Sequence, residues 1–364
     1  MIAIHELGHF LVARAFKVKI NEFAIGMGPK LIKKQSKKSG TLYSLRAFPV
    51  GGFVSMEGES EASDEEGSFS AKPAWQKLLI SLAGPAMNIF LGFILTFILV
   101  ITLRDASGNI LLSSNTVAVF DQGATSSESW VISDSNELTD TLMPGDTIIK
   151  VRNTRVHTAT ELAYEISMQC SELIEVKKTV NGETSYVTDI SCVSLTVIRN
   201  GETVVLKNVA FKADSTEGIV TGTPDFRVAR ENASFFNIIK HTWFRSVSSV
   251  KMIWDSFVGL ITGRFGLESM SGPIGTTEAI ATVASEGWYT LLYFITIITM
   301  NLGVFNLFPV LPLDGGHNVF HIYELIVRKP VPQKITFALQ AFGVVLMFGL
   351  IIIVSINDII GLFN

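Results

Sequence analysis

The sequence predicts an α-helical polytopic membrane protein with about four transmembrane helices, the first of them truncated, and an inserted α+β domain. The first observation is composition. Of 364 residues, 48% are hydrophobic and 17% are charged, and the mean hydropathy is +0.40. Soluble domains carry about 25% charged residues. The second observation is a set of long apolar stretches flanked by basic loops, and the third is a polar, β-rich stretch between them.

Composition also restricts the classes of partner and site. The net charge is −4 and the pI is near 5.9, so we expect no nucleic acid partner. Two cysteines, Cys170 and Cys192, are too few for a disulfide scaffold or a cysteine-based zinc site. The sequence leaves open whether they close residues 171–191 with a disulfide or are two small buried hydrophobes.

The first apolar stretch, Met1–Phe16, is short for a membrane span. As a helix it reaches about 24 Å at ~1.5 Å per residue, whereas a span needs ~20 residues. Charges in its middle and the lack of a basic start exclude a signal peptide. We therefore expect about 10–15 further apolar residues upstream. The alternative is a short helix that enters from one side and ends at mid-membrane.

Residues 5–9 of this stretch read His-Glu-Leu-Gly-His. In a helix, the four-residue spacing places His5 and His9 on one face, where two imidazoles can hold one zinc ion. Glu6, beside them, can take a proton from zinc-bound water. By itself the motif also fits a half-exposed polar helix end.

The loop that follows is basic. Residues 17–46 contain eight lysines and arginines and one acid, Glu22, and such an excess beside a span marks the cytoplasmic side. Thr41–Phe48 and Phe53–Met56 flank Pro49–Gly52, which predicts a hairpin with a glycine turn. The acidic residues after Met56 predict a solvated loop.

Three further spans are predicted, at Leu78–Leu103, Thr290–Leu313 and Phe337–Phe363. The first of these opens with the small residues of Ala83–Asn88, which permit close helix packing. We expect Asn88 to join helices rather than to take part in catalysis. Four spans place both basic loops inside the cell and the β-rich region outside.

The third predicted span ends in two prolines and two glycines around Asp314. A helix break is tolerated in lipid only where the freed backbone lines a protein cavity, and an intramembrane carboxylate is a functional candidate by default. The predicted orientation brings Asp314 to the membrane face that carries His5 and His9. Two imidazoles, one carboxylate and an open water position make a zinc site feasible there. His317 is expected to be structural.

Residues 104–230 predict a mixed domain. A turn leads into a strand at Leu142–Val151, Ala159–Cys170 has helical spacing with Glu161 and Glu165 pointing outward, and a hairpin closes around Asn200-Gly201. This order resembles a PDZ domain with residues 171–191 inserted. PDZ modules bind extended peptides by strand addition. A spacer that only gates access is the alternative.

The chain thus divides into four predicted parts: an N-terminal membrane half at 1–103, a PDZ-like domain at 104–230, interfacial helices at 231–288 and a C-terminal membrane half at 289–364. Residues 234–262 are apolar but repeatedly charged, which is typical of an interfacial amphipathic helix or pair. His241 in this segment is expected on the surface.

These features resemble, in order, the bacterial site-2 proteases, the RseP-type intramembrane zinc metalloproteases of peptidase family M50. The shared motifs are the histidine pair, Ala-Gly-Pro-Ala-Met-Asn at 83–88, Ser-Gly-Pro-Ile-Gly at 271–275, and the Asn to Leu-Asp-Gly run at 306–315. The resemblance implies that His5, His9 and Asp314 bind Zn²⁺. It implies that Glu6 is the catalytic base and that Asn306 stabilises the oxyanion or the substrate.

The resemblance also implies a substrate and a location. The segment Thr41–Met56 would pair with an unwound substrate, with Gly51, Gly52, Phe53 and Pro309 in contact with it. Substrates would be single-span membrane proteins, such as anti-sigma factors, or remnant signal peptides. The protein would lie in the plasma membrane, in contact with the lipid bilayer, with the PDZ-like domain outside, where it could bind a peptide, and the active site towards the cytoplasm.

The sequence departs from the family pattern in two places. The first span lacks its upstream half, and Pro312 lies one residue later than in most RseP-type members, which affects loop shape.

Two other functions are considered. A catalytically silent PDZ scaffold is one alternative, which the intact Glu6 argues against. A transporter with a cation at Asp314 and Asn306 is the other, which the lack of an internal repeat argues against.

Overall fold

The computed structural model describes residues 1–59, 65, 67–111, 117–120, 124–180, 183–216, 219–264 and 272–361. The chain divides into two compact units, Met1–Leu95 with Phe265–Asn364, and Thr96–Arg264. Within the described residues the helices are α1 Ile2–Ala15, α2 Ala74–Thr102, α3 Ala159–Gln169, α4 Phe235–Ile261, α5 Pro273–Glu286, α6 Trp288–Phe305, α7 Asp314–Val327 and α8 Gln333–Gly361. The strands are β1 Ile20–Gln35, β2 Leu42–Met56, β3 Ala118–Phe120, β4 Val131–Ile132, β5 Thr147–Val151, β6 Thr154–Arg155, β7 Ile174–Val180, β8 Glu183–Arg199, β9 Glu202–Thr216, β10 Ile219–Thr223 and β11 Phe226–Val228.

Three helices in the described part of the chain are long and apolar enough to cross a membrane, at Ala74–Thr102, Trp288–Phe305 and Lys334–Ile360. This agrees with the predicted class of helical membrane protein. Helix α1 has 14 residues, which is short for a span.

The predicted third span is too long at its C-terminal end. Helix α6 ends at Phe305, not Leu313, and a new helix, α7, begins at Asp314. The prolines at 309 and 312 lack the N–H groups that a continuing helix needs, so the break comes before them. The connection is closed by the Gly315 N–H, which donates to the Asn306 carbonyl at 2.7 Å.

The predicted hairpin within residues 41–56 is wrong. In the first unit, residues 20–25 of β1 pair with residues 52–56 of β2 along one edge and with residues 42–45 along the other edge. The two halves of the predicted hairpin therefore lie on opposite sides of β1 and do not pair with each other. The acidic loop that follows lies largely outside the described residues.

Glycines allow β1 to bend back on this sheet. Gly26 and Gly28 have φ of +85° and +84°, a backbone region that favours glycine. Beyond them, residues 30–35 pair with residues 42–46 of β2. The sheet packs against α1 and α2 through one cluster of buried side chains: Phe10, Ala13, Val18, Ile20, Val54, Met56 and Ile80.

The second unit is built on a seven-stranded sheet. Its strand order is β10-β9-β8-β5-β6, with β7 joined to β8 and β4 to β7, and β3 and β11 form a separate pair. The predicted hairpin around Asn200-Gly201 is confirmed, since Arg199 pairs with Glu202. The predicted helix is confirmed as α3, and Thr158 caps it by accepting the Glu161 N–H at 3.0 Å. The inserted residues 171–191 form β7 and part of β8.

Two expectations for this unit are wrong. Glu161 and Glu165 do not point outward: they are 2% and 5% exposed, and Lys251 of α4 contacts them at 2.9 and 2.6 Å. His241 is fully buried rather than on the surface, with Nε2 2.6 Å from Glu231. In each case the partner, Lys251 or Glu231, lies in another segment of the chain. The local pattern of polar and apolar residues gives no information on how that segment packs. Both cysteines are free thiols.

Candidate metal centre

Two helices of the first unit bring His5, His9 and Asp314 together. Both histidines lie on α1, and Asp314 is the first residue of α7. Asp314 Oδ2 is 3.0 Å from His5 Nε2 and 3.4 Å from His9 Nε2. The two Nε2 atoms are 3.2 Å apart, and the histidines are 8% and 9% exposed. Three donor atoms thus face one another in a buried triangle.

This triangle fits a zinc ion. Bonds of ~2.0–2.1 Å in a tetrahedron place neighbouring ligand atoms about 3.3 Å apart, close to the observed edges. Asp314 Oδ2 is buried and makes no hydrogen bond within the described residues, although both imidazoles are close. A buried carboxylate oxygen without a donor is costly, and a cation between the three atoms would satisfy it.

The close approach of α1 to α2 depends on two glycines. A Cβ on Gly84 of α2 would overlap His9 Nε2 and come within 2.8 Å of His5 Nε2. A Cβ on Gly8 of α1 would overlap the Ala83 carbonyl oxygen. The small residues predicted to allow close packing therefore lie directly against the candidate metal centre.

Helix α2 also contacts the groups that surround the triangle. The Ile80 carbonyl oxygen is 2.8 Å from His9 Nδ1, and the Asn88 side chain is 3.3 Å from His5 Nδ1. The Ser81 hydroxyl donates to the Asp314 backbone carbonyl at 3.3 Å. Four residues earlier, Lys77 pairs with Glu324 of α7 at 3.0 Å. Helix α2 thereby fixes α1 and α7 relative to each other.

Glu6 lies between the histidines and the β1–β2 sheet. Its carboxylate accepts a hydrogen bond from the Val54 backbone N–H. A Cβ on Gly52 would come within 3.1 Å of Glu6 Cγ. The base predicted from the sequence is therefore adjacent to the end segment of β2.

The same segment of β2 has one edge that β1 does not cover. Residues 52–56 pair with β1 on one side. On the other side the Val54 N–H donates to Glu6, and the Met56 N–H donates to Glu59 at 3.2 Å. A strand edge therefore runs past the predicted base.

The other predicted substrate residues lie around this edge or beyond it. Gly51 has φ +81°, and a Cβ there would come within 2.9 Å of Met27. The Phe53 ring is 4.8 Å from the Arg46 guanidinium. Pro309 is exposed in the turn after α6.

Glu22 ties the sheet together electrostatically. Its carboxylate accepts hydrogen bonds from Ser44 at 2.6 Å and from Lys30 and Arg46 at 2.9 Å each. Burial alone would raise the pKa of Glu22, but these three donors outweigh it and lower the pKa to about 2. Sequence analysis treated Glu22 only as the one acid in a basic loop.

Asn306 ends α6, and its carbonyl holds the residue after Asp314 through the Gly315 N–H. His317 is half-buried, 3.3 Å from Gln340 of α8. Asn88 is the residue whose place at the site sequence analysis missed. Its position in the Ala83–Asn88 motif was the available signal, but its distance to His5 depends on how two helices pack.

Comparison with known proteins places the whole chain in one group. The profile of peptidase family M50 matches residues 1–350. A protein of Fusobacterium nucleatum named "Putative zinc metalloprotease" is 30% identical over 366 residues, covering 100% of this chain and 96% of the relative. A protein of Clostridium acetobutylicum with the same name is 30% identical over 360 residues, covering 99% and 94%. Zinc metalloprotease RasP of Shouchella clausii is 26% identical over 448 residues, covering 100% and 97%.

Proposed function

The chain belongs to peptidase family M50, and on that premise we propose that it is a zinc-dependent intramembrane endopeptidase that cleaves single-span membrane proteins. The observation that carries the proposal is the convergence of His5, His9 and Asp314 on one point, with Glu6 beside it. The names of the relatives support zinc as the cofactor.

The roles of the residues follow from their chemistry. His5 and His9, through Nε2, and Asp314, through Oδ2, hold the ion. Zinc, when bound, supplies Lewis acidity that activates water and polarises the scissile carbonyl. Glu6 takes the proton from the attacking water and passes it to the leaving amine. The Val54 N–H keeps the Glu6 carboxylate oriented between these two transfers.

The edge of β2 that β1 does not cover binds the substrate as an added strand. A peptide bond in a transmembrane helix is shielded by helical hydrogen bonding, so the helix must be unwound locally before the bond can be attacked. Beside Glu6, the edge at Gly52–Met56 offers for strand addition the backbone groups that Glu6 and Glu59 do not occupy. Gly51 and Gly52 contact the substrate backbone, and Phe53 and Pro309 contact its side chains.

Asn306 stabilises the oxyanion or positions the substrate. It ends α6 and is tied by its carbonyl to the residue after Asp314, so its amide moves with the metal-binding turn. An amide N–H₂ near the developing oxyanion is a donor of the kind that acyl-transfer sites use.

The protein is a multi-pass plasma-membrane protein with its active site towards the cytoplasm. The three apolar helices and the excess of lysine and arginine at residues 17–46 support this orientation. Helix α1 forms a fourth, shortened membrane segment. The PDZ-like region 104–230 lies outside the cytoplasm, and α4 lies at the interface.

The PDZ-like region is the candidate for peptide capture outside the membrane. Its groove has a volume of about 630 Å³ and lies between α3, which contributes Ala159 and Ala163, and β11, which contributes Phe226 and Val228. A strand beside a helix is the arrangement that PDZ modules use for strand addition. Substrates are anti-sigma factors, already trimmed outside, or remnant signal peptides.

The test is cleavage of a single-span model substrate by the purified protein in proteoliposomes. We expect the wild type to cut the substrate, and zinc chelation or Glu6→Gln to abolish cleavage. Glu6→Gln should retain zinc, since Glu6 is not a ligand. A silent scaffold would bind the substrate without cutting it, and unchanged cleavage by Glu6→Gln would refute the proposed mechanism.

A further inference from the structure

Asn88 is a buried amide whose nitrogen, rather than its oxygen, faces His5. It is fully buried on α2, with Nδ2 3.3 Å from His5 Nδ1. Its Oδ1 has no hydrogen-bond partner within the described residues. The two terminal atoms of an asparagine amide are nearly identical in shape, so a half-turn about the last side-chain bond exchanges them without moving the backbone.

The protonation of His5 decides which atom must face it. A neutral imidazole that uses Nε2 as a metal ligand carries its hydrogen on Nδ1. Nδ1–H is then a donor and needs an acceptor, which the amide oxygen is and the amide nitrogen is not. With the oxygen turned toward His5, Oδ1 accepts the Nδ1–H and Nδ2 takes the position that Oδ1 held, so the choice between the two orientations is made by the need of Nδ1–H for an acceptor.

His9 shows the same arrangement with a different acceptor. Its Nδ1 lies 2.8 Å from the Ile80 carbonyl oxygen, which can only accept. That bond fixes Nδ1–H and directs Nε2 toward Asp314. Ile80 and Asn88 lie about two turns apart on α2. One helix therefore presents an acceptor to each histidine.

We infer that Asn88 is a positioning residue for the metal centre, whose amide oxygen accepts the Nδ1–H of His5 and holds the tautomer that presents Nε2 to the ion. The inference rests on the proposed zinc site. Partners of this kind orient metal-bound histidines and raise their basicity, and losing one typically costs about 10–100-fold in metal affinity.

The experiment measures metal binding by the full-length protein in detergent, by chelator competition for Zn²⁺ and by the visible absorption of bound Co²⁺. We expect Asn88→Leu, which removes the acceptor and keeps the volume close, to weaken Zn²⁺ binding about 10–100-fold and to alter the Co²⁺ spectrum. Asn88→Asp keeps an acceptor oxygen, so it should bind Zn²⁺ at least as tightly as the wild type.

Asn318→Leu is the matched control. Asn318 is a second buried asparagine whose Oδ1 lacks a partner within the described residues, and it lies on α7. We expect its Zn²⁺ affinity to change less than about threefold, since no hydrogen bond joins its side chain to a histidine within the described residues. Metal-free thermal unfolding of each variant reports folding separately.

Two results would overturn the inference. One is an Asn88→Leu variant that folds and binds Zn²⁺ as the wild type does. The other is an Asn88→Asp variant that loses Zn²⁺ affinity tenfold or more, which stays decisive even if Asn88→Leu does not fold. Metal binding can also be measured in the Glu6→Gln background, where no cleavage is expected. A failure of the proposed peptidase activity is therefore distinguishable from a failure of this inference.

Discussion

Gly84 shows how much the proposed metal centre depends on the absence of a single side-chain atom. It lies on α2 beneath both histidines, where a methyl group would overlap His9 Nε2. The imidazoles cannot move away without separating from Asp314, because Nδ1 of His9 is held by the Ile80 carbonyl. The geometry of the ligands is therefore set by a residue that makes no bond to them.

We predict that Gly84→Ala weakens zinc binding about 5- to 150-fold, since overpacking of this kind costs ~1–3 kcal/mol. Gly349→Ala is the matched control, because Gly349 also lies in a long apolar helix but has open space at its Cβ position. Zinc content after dialysis against a chelator measures both. Equal zinc retention by the two variants would contradict the packing argument.

At the scale of elements, the β1–β2 sheet and the α3–α4 pair each depend on paired charges that are partly or fully buried. Glu22 binds donors from both strands, and Lys251 of α4 binds two carboxylates of α3. Such contacts are strong only while every charge has its partner, because an unpaired buried charge is costly. Removing one charge from either cluster should therefore destabilise the elements that the cluster joins.

The sheet should lose stability in acid. The pKa of Glu22 is lowered to about 2 in the folded protein, from 4.5 ordinarily, so its contribution is present above pH 4.5 and is lost as the pH falls toward 2. We expect the thermal midpoint of the wild type to fall over this range more steeply than that of Glu22→Gln, measured in detergent. Parallel pH profiles for the two proteins would contradict this assignment.

Removing the cation between α3 and α4 should destabilise the second unit. Lys251→Met removes the cation that contacts both Glu161 and Glu165, and we expect a loss of about 3 kcal/mol, the low end for a broken buried pair because Lys251 is 33% exposed. Denaturant unfolding of the full-length protein, followed by protease sensitivity, measures it.

Lys212→Met, at an exposed position on β9, is the control and should change stability by less than about 0.5 kcal/mol. Adding Glu161→Gln and Glu165→Gln to Lys251→Met should recover part of the loss, because the uncompensated charges are then gone. No recovery would mean that Lys251 acts through packing alone.

At the scale of the whole molecule, local patterns located the candidate site, and long-range packing determined what surrounds it. The spacing of His5 and His9 is a property of one helix, and Asp314 stands out at a break rich in proline and glycine, so both were found from the sequence. The class of membrane protein followed from composition. The fourth span and the PDZ-like identity of residues 104–230 stay predictions.

What sequence analysis misjudged depends on contacts between distant segments. The hairpin was placed within residues 41–56 because strand alternation there is clear, whereas β1 is interrupted by Gly26 and Gly28 and reads as a loop. Helix α7 was hidden because the apolar run before it continues past the true end of α6. Glu161 was taken as exposed because its partner, Lys251, lies 90 residues away.

The central claim is that one zinc ion is held by two imidazoles and one carboxylate contributed by α1 and α7. X-ray absorption at the zinc edge of the loaded full-length protein tests it most directly. We predict nitrogen and oxygen ligands at about 2.0–2.1 Å, with scattering from two imidazoles, falling to one in His9→Ala. Sulfur ligation, six-coordinate oxygen ligation or an unchanged spectrum in His9→Ala would contradict the account.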